Sequence, residues 1–443
     1  MWAKRVASID ELAVARRLCA EPGFAWLDSN RSEARDGRYS FIAAWPSDEI
    51  RVDFGAESPF AALRDISLCA DGPDAPNAGG PQPNEVPAWI GYIAYDAFWS
   101  SPARGTPRFE RAPDPILLFR RYPALLAVDH EDGTAWVVGD SQRASVAFLA
   151  RLDTLPEREP TLPLLGVIHV DDSRSHREAI ERALDYIGMG EVYEVNVARR
   201  WSGSFEGDAL ELWQAMRKAS RVPLGMFLDC DDHAVLACTM ERFIHWDARN
   251  RALVTRPIKG TIRREPTDDG ASQRLRADPK ERAEHSMIVD LMRNDLGRVA
   301  EIGSVTVEAP LIVEPFTGLY HLVSTVSCTT RPEVSLEAIL DATFPPGSVT
   351  GAPKVRALEI IEELEQHPRG VYCGALGFID HDGGLSLAVA IRTATVAKGQ
   401  VYYWAGGGIV EASDPDREVA ETELKAKVFL DAVAALQGDV IHE

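Results

Sequence analysis

The chain has 443 residues, enough for two or three domains or one large one. Apolar residues make up 45% and charged residues 26%, a globular balance that excludes a disordered, collagen-like or coiled-coil chain. Aspartate and glutamate (68) outnumber lysine and arginine (47), so the formal charge of −21 argues against a nucleic-acid binder, and an acidic substrate would need cations gathered locally.

Along the chain, Asp10 falls where a signal peptide needs an apolar run. No stretch reaches the ~20 apolar residues of a membrane span. The six cysteines, at 19, 69, 230, 238, 328 and 373, form no C-x-x-C pair. They fit a reducing compartment, and a cytoplasmic protein is expected. Residues 71–87, rich in Pro, Gly, Asp and Asn, predict a surface loop. Strand-like runs follow at 116–119 and 134–138. The stretch 154–163 holds three prolines and two glutamates and is the candidate boundary. It divides an N-terminal part, 1–153, and a linker-like 154–173 from a main region, 174–430, with 431–443 as a C-terminal tail. Within 173–188, Ala179, Ile180, Ala183, Leu184 and Ile187 recur at helical spacing. Strands and helices then mix without strict alternation, which predicts an α+β fold.

Several later segments carry unusual charge or glycine. Arg256-Pro-Ile-Lys-Gly-Thr261 predicts a tight turn holding Lys259, a surface lysine by default. Two helix starts match each other, at Asp278-Pro279 and Asp414-Pro415, with Asp as cap and Pro as first helical residue. Each is followed by glutamates three apart on one helical face, Glu281 with Glu284 and Glu418 with Glu421. Acids there either favour the helix dipole or act as paired ligands. The loop Phe344-Pro-Pro-Gly-Ser-Val-Thr-Gly-Ala-Pro-Lys354 leads into an amphipathic helix at 355–365 and is either an anion cradle or a plain helix opening. Arg392 lies in the apolar run 390–394, and its partner is either a structural acid or a substrate carboxylate. Gly406, Gly407 and Gly408 follow a strand-like run without the dinucleotide spacing, and they allow close approach of a ligand.

Taken in order, 256–261, 284–290 with 293–295, 317–321, 344–354, 370–377, 391–393 and 406–425 resemble the motif series of the chorismate-utilising enzymes. That family holds anthranilate synthase component I, aminodeoxychorismate synthase component I, and isochorismate and salicylate synthases. Trp26-Leu-Asp-Ser29, Gly37-Arg-Tyr-Ser-Phe41 and Gly91-Tyr-Ile-Ala-Tyr-Asp96 carry a weaker similarity. The resemblance implies a large layered α+β fold with two antiparallel sheets and outer helices. Pro-Ile-Lys-Gly-Thr around Lys259 resembles the aminodeoxychorismate synthases, whereas anthranilate synthases show alanine there. The isochorismate group carries a lysine base where this chain has Glu194, and ammonia-using relatives usually show glutamine. Glu194 is therefore the position where nitrogen delivery would depart from the family.

The implied reaction replaces the C4 hydroxyl of chorismate with ammonia, giving 4-amino-4-deoxychorismate for p-aminobenzoate and folate synthesis. The resemblance implies Mg²⁺ held by Glu284 and Glu421, with Glu281 and Glu418 one turn earlier acting through water. Lys259 would be the nucleophile at C2, its pKa lowered by desolvation and the metal. Glu241 resembles the general acid for the departing hydroxyl, and His321 a pocket histidine on the C4 side. Arg392 and Lys425 would bind carboxylates. Gly406, Gly407 and Gly408, with Tyr372, Thr350 and Gly351, would complete the cradle. No cysteine sits in a glutaminase setting, so a separate glutamine amidotransferase subunit is expected as the ammonia source. No lyase extension is seen after 430, so p-aminobenzoate formation would need another enzyme. The alternatives are anthranilate synthase component I and a non-catalytic regulatory subunit binding an aromatic amino acid in its N-terminal part.

Overall fold

The computed structural model describes the chain apart from residues 30–36, 65, 67–79, 102–103, 112–113, 265–267, 269, 317–318 and 441–443. Part of the expected 71–87 loop, Cys69, the first two residues of the 317–321 motif and the last three of the expected tail lie outside the described residues.

Two large antiparallel sheets organise the fold, of thirteen and ten strands among the described residues. In the first, Ala25–Asp28 pairs with Leu224–Asp229. The sheet continues through His233–Thr239, Thr393–Ala397, Gln400–Ile409 and Glu194–Glu206. In the second, Pro87–Ile93 pairs with Ala375–Asp380. Both sheets thus draw strands from each side of the stretch 154–173. Strands covered on both faces lose the alternation of a half-wet sheet. All seven residues of Pro87–Ile93 are buried, and they read as one apolar run.

One apolar cluster, containing Trp89, Tyr92 and Phe119, joins residues of the two sheets. The other lies under helices Ala209–Ala219 and Pro415–Val440, where Trp26 meets Trp213 edge-on at 5.1 Å. Among the described residues no helix is long and apolar enough to cross a membrane.

Helix Ser173–Gly188 forms where the spacing places it, capped by Asp172 and burying Ala179, Ile180 and Ala183. Three local expectations change. The linker-like stretch contributes two short strands, Leu164–Leu165 and His169–Val170, which pair with Glu194–Glu206. The expected tail continues a helix, Pro415–Val440, because Phe429, Ala432, Val433 and Leu436 extend its apolar stripe into the core. Lys259 sits in a strand, Ile258–Arg263, and not in a turn. Gly260 supplies the irregularity there, with φ of 76° at a shift of register against Leu319–Thr329.

Candidate active site

Helices Pro279–Gly297 and Pro415–Val440 bring the matched glutamate pairs together. Asp278 caps the first by accepting from the Lys280 and Glu281 amides, and Asp414 accepts from the Arg417 amide at the start of the second. The first turn of the second meets the strand pair Glu194–Glu206 and Gln400–Ile409, in which Asn196 stands opposite Gly408 and Val197 opposite Gly407, and the first turn of the first meets Gly260 of the Lys259 strand. At this end a larger residue would push the functional side chains aside. A Cβ on Gly407 would lie 3.0 Å from Glu418 Oε2, and one on Gly408 would lie 2.5 Å from Glu194 Oε1 and 2.8 Å from Lys259 Nζ. A Cβ on Gly260 would lie 2.8 Å from Glu281 Oε2. Residues distant in sequence therefore share one charged space.

The electrostatics of that space are unbalanced. Burial, with repulsion from Glu194 and Glu281, pushes the Glu284 carboxyl up to about 7 despite Lys259 and Lys280. Glu281 and Glu418 are also raised, first by burial. Glu421 is lowered by Lys425, whose Nζ is 2.7 Å from Glu421 Oε1. Glu284 Oε1 is buried without a hydrogen-bond partner, Lys280 Nζ standing 3.6 Å away. Hard carboxylate oxygens in excess over cations fit a divalent ion such as Mg²⁺. Among the described residues, the one trio of candidate ligands with atoms all within 4.8 Å is elsewhere, at Asp114, Asp232 and His233. The glutamates thus surround a space without closing on a point, which suits a cation that keeps some of its water.

Lys259 donates to Glu194 Oε1 at 2.5 Å, their side chains 13% and 1% exposed. Burial disfavours the ammonium, but the carboxylates of Glu194, Glu284 and Glu241 together hold it protonated well above the ordinary lysine range. This reverses the expected depression, because Glu194 adds a full negative charge where glutamine was expected. Glu241, just before strand Arg242–Asp247, is pushed up to about 7 by burial, against hydrogen bonds from Ser348 and the Ile258 amide and the charge of Lys259. His321 Nδ1 lies 3.0 Å from Thr261 Oγ1 and 3.2 Å from the Gly260 carbonyl, so it stands beside the Lys259 strand.

The other expected residues divide. Arg392, with φ of 48°, donates to Ser220 Oγ at 3.3 Å and has no carboxylate partner among the described residues. Burial lowers its pKa, and a guanidinium so placed fits a substrate carboxylate. Lys425 donates to the Gly406 carbonyl at 2.8 Å and pairs with Glu421, which orders Glu421 and leaves one of its three N–H donors for a substrate carboxylate. Tyr372 stacks on Trp404, ring centroids 5.9 Å apart. The Thr350 carbonyl accepts from the Asn196 amide at 2.8 Å, and Gly351 pairs with Val195, which fixes the 344–354 loop against the Glu194 strand.

Sequence reasoning missed what holds that loop. Lys354 Nζ donates to Asp295 Oδ2 at 2.5 Å and to the Thr343 and Pro345 carbonyls at 2.7 and 2.9 Å. Arg369 donates to both Glu365 oxygens and to the Val349 and Asn196 carbonyls. The available signal was the Glu365–Arg369 spacing of four after an apolar helix face. A cavity of about 510 Å³ lies elsewhere, lined by residues including Leu27, Tyr39, Met226, Arg242 and Phe378, and it shares no lining residue with the glutamate cluster.

Comparison with known proteins agrees with this geometry. The pattern of the chorismate binding enzyme family matches residues 24–431. Aminodeoxychorismate synthase component 1 of Klebsiella aerogenes is 39% identical over 341 residues, 75% of this chain and 74% of that protein. Anthranilate synthase component 1 of Thermus thermophilus is 38% identical over 367 residues, 78% of this chain and 77% of that protein. The crystal structure of anthranilate synthase component I from Streptococcus pneumoniae superposes with a TM-score of 0.77 at 28% identity, covering 90% of this chain and 93% of that one. The chain belongs to the chorismate binding enzyme family.

Proposed function

We propose that this chain is an aminodeoxychorismate synthase component I, aminating chorismate at C4 with ammonia. The observation that carries the reading is Lys259, buried in the charged space between Glu194, Gly408 and the two glutamate pairs. Three aminodeoxychorismate synthase component 1 relatives, 37–39% identical, support the same reading. The Pro-Ile-Lys-Gly-Thr run around Lys259 supports amination at C4.

In this reading Arg392 binds a carboxylate of chorismate. Lys259 adds to C2 while the ring double bonds shift and the C4–O bond breaks. Glu241, half protonated near neutral pH, gives its proton to the departing hydroxyl, which leaves as water. Ammonia then forms the C4–N bond, the double bonds shift back, and the C2–Nζ bond breaks. The new C4 ammonium returns a proton to Glu241, so chorismate and ammonia become aminodeoxychorismate and water. Glu284 and Glu421 would hold Mg²⁺, with Glu281 and Glu418 behind them. When bound, such an ion would neutralise the ring carboxylate and polarise the ring, while Glu241 handles the proton.

The ammonia source is a separate glutamine amidotransferase subunit. Supporting this, burial pushes the Cys238 and Cys373 thiols up to about 12 and Cys328 to about 11, and Cys230 and Cys19 are raised too. A glutaminase nucleophile needs the opposite shift. The product would feed p-aminobenzoate and folate synthesis. The test is product identification by mass and fluorescence with chorismate, Mg²⁺ and an ammonium salt. Aminodeoxychorismate is expected, and anthranilate or isochorismate as the main product would overturn the reading.

A further inference from the structure

A lysine held as an ammonium cannot attack carbon, so the reaction above lacks one proton acceptor. Among the described residues the Lys259 ammonium donates to Glu194 alone, at 2.5 Å. Among the described residues, the ionisable groups that act on Lys259 include Glu194 from strand Glu194–Glu206, Glu241, Glu281, Glu284 and His285 from the neighbouring elements, and Glu421 from the last helix. Glu241 must hold a proton in order to give it to the hydroxyl. Glu281, Glu284 and Glu421 face the cation space, and His285 Nε2 is engaged with Ser324 Oγ at 2.7 Å. Glu194 remains, and it is the group in direct hydrogen-bond contact with Nζ. Its side chain is 1% exposed, and Oε2 is buried with no hydrogen-bond partner. Oε1 already receives the Nζ proton, so its transfer runs along a single short hydrogen bond.

We propose that Glu194 is the catalytic base for Lys259, taking a proton from Nζ as the lysine adds to C2 and returning it when the lysine leaves. The proposal rests on the reading of Lys259 as nucleophile. In the first half, an Nζ–H bond breaks and the proton passes to Glu194, the Nζ–C2 bond forms, and the C4 hydroxyl departs with the Glu241 proton. The adduct nitrogen is then a secondary ammonium. In the second half, the C2–Nζ bond breaks as ammonia adds at C4, the lysine leaves as a neutral amine, and the Glu194 proton restores the ion pair. No outside acid or base is consumed. The same pairing explains why a carboxylate here need not activate water: the lysine ammonium occupies it.

The test uses the full chain with chorismate and Mg²⁺ but no ammonia, following the mass of the covalent adduct in the intact protein. Glu194→Gln keeps the side-chain shape and removes the base. It should form the adduct roughly 10²–10⁴-fold more slowly at pH 7 with unchanged chorismate affinity. The ratio of variant rate to parent rate should then climb by close to a factor of ~10 per pH unit between pH 7 and 9, as the bulk solution takes over deprotonation. Taking this ratio cancels the Glu241 dependence common to both proteins. Glu194→Asp, which retains a carboxylate, should follow the parent's pH course. A Glu194→Gln rate equal to the parent's, or a slowing that stays constant with pH, would overturn the base assignment while leaving Lys259 as nucleophile. Absence of any adduct in the parent would instead overturn the nucleophile reading itself.

Discussion

The glutamate cluster and the two ion pairs that hold the 344–354 loop both take charge out of water, and they do so on opposite terms. Lys354 places all three of its N–H groups on Asp295 and two carbonyls. Arg369 and Glu365, 1% and 2% exposed, satisfy each other and three backbone groups. Around Lys259, by contrast, Glu284 keeps an oxygen without a hydrogen bond and a carboxyl pushed up to about 7. Buried charge that is fully partnered serves as scaffold. Buried charge left in excess marks where a ligand completes the count.

The comparison predicts opposite costs for substitution. Glu284→Ala or Glu421→Ala should lower turnover by ~10³-fold or more, since each removes a hard ligand and leaves the substrate carboxylate charge unbalanced. The shape-preserving Glu284→Gln should leave the metal-free protein no less stable at pH 8, because it removes a carboxylate that repels its neighbours. Activity assays and thermal melts in EDTA check both halves. Near-normal turnover of either alanine variant would remove the metal assignment.

Lys259→Ala comes next in size. Routes differing by ~3 kcal/mol partition more than a hundredfold, so the normal product should fall by at least that factor. With C2 unblocked, some anthranilate-type product is expected. Unchanged product at the parental rate would place Lys259 outside the chemistry and return the cluster to a purely electrostatic role.

Much of this contrast was legible before the fold was known, and the reason is locality. The Asp–Pro caps, the glutamates three apart and the glycine triplet are short-range signals whose geometry follows from one helix or one strand. The Glu194–Lys259 pair spans 65 positions and Asp295–Lys354 spans 59. Glu194 and Lys259 lie in different sheets and Asp295 and Lys354 on different helices, so only the packing of whole elements brings such residues together, and no periodicity encodes it. The same limit explains Lys259, read as a turn residue because proline and glycine flank it, although Gly260 serves a strand irregularity. Lys425 illustrates a different limit. Its spacing from Glu421 was visible, but only the structure shows Gly406 taking the other hydrogen bond.

A scaffold pair should behave in the reverse sense from the cluster. Lys354→Met leaves Asp295 buried without its cation and should cost about 3–5 kcal/mol in denaturant unfolding. Adding Asp295→Leu should recover most of that loss, since the uncompensated charge goes too. If the single variant costs under ~1 kcal/mol, the pair does not hold the loop, and the contrast drawn above fails on its scaffold side.

The smallest effect, and the most diagnostic of uncompensated burial, is the pH dependence of stability set by Glu241. Its folded carboxyl is pushed from an ordinary 4.5 up to about 7, with burial the largest cause. The folded state therefore holds this proton more tightly than the unfolded chain does. The stabilisation is fully present below pH about 4.5 and is lost as pH rises through about 7, at a limiting ~1.4 kcal/mol per pH unit. Glu241→Gln keeps an oxygen for the Ile258 amide and has no proton to lose. The stability of the variant relative to the parent should thus rise by about 3 kcal/mol between pH 4.5 and 7.5, and then level off. Taking this difference cancels every other acid that titrates in both proteins. Unfolding measured at half-unit steps of pH in EDTA gives the curve. A flat difference across that window would mean that the Glu241 carboxyl ionises in the fold as readily as in water, and it would lose its place as the proton donor to the departing hydroxyl.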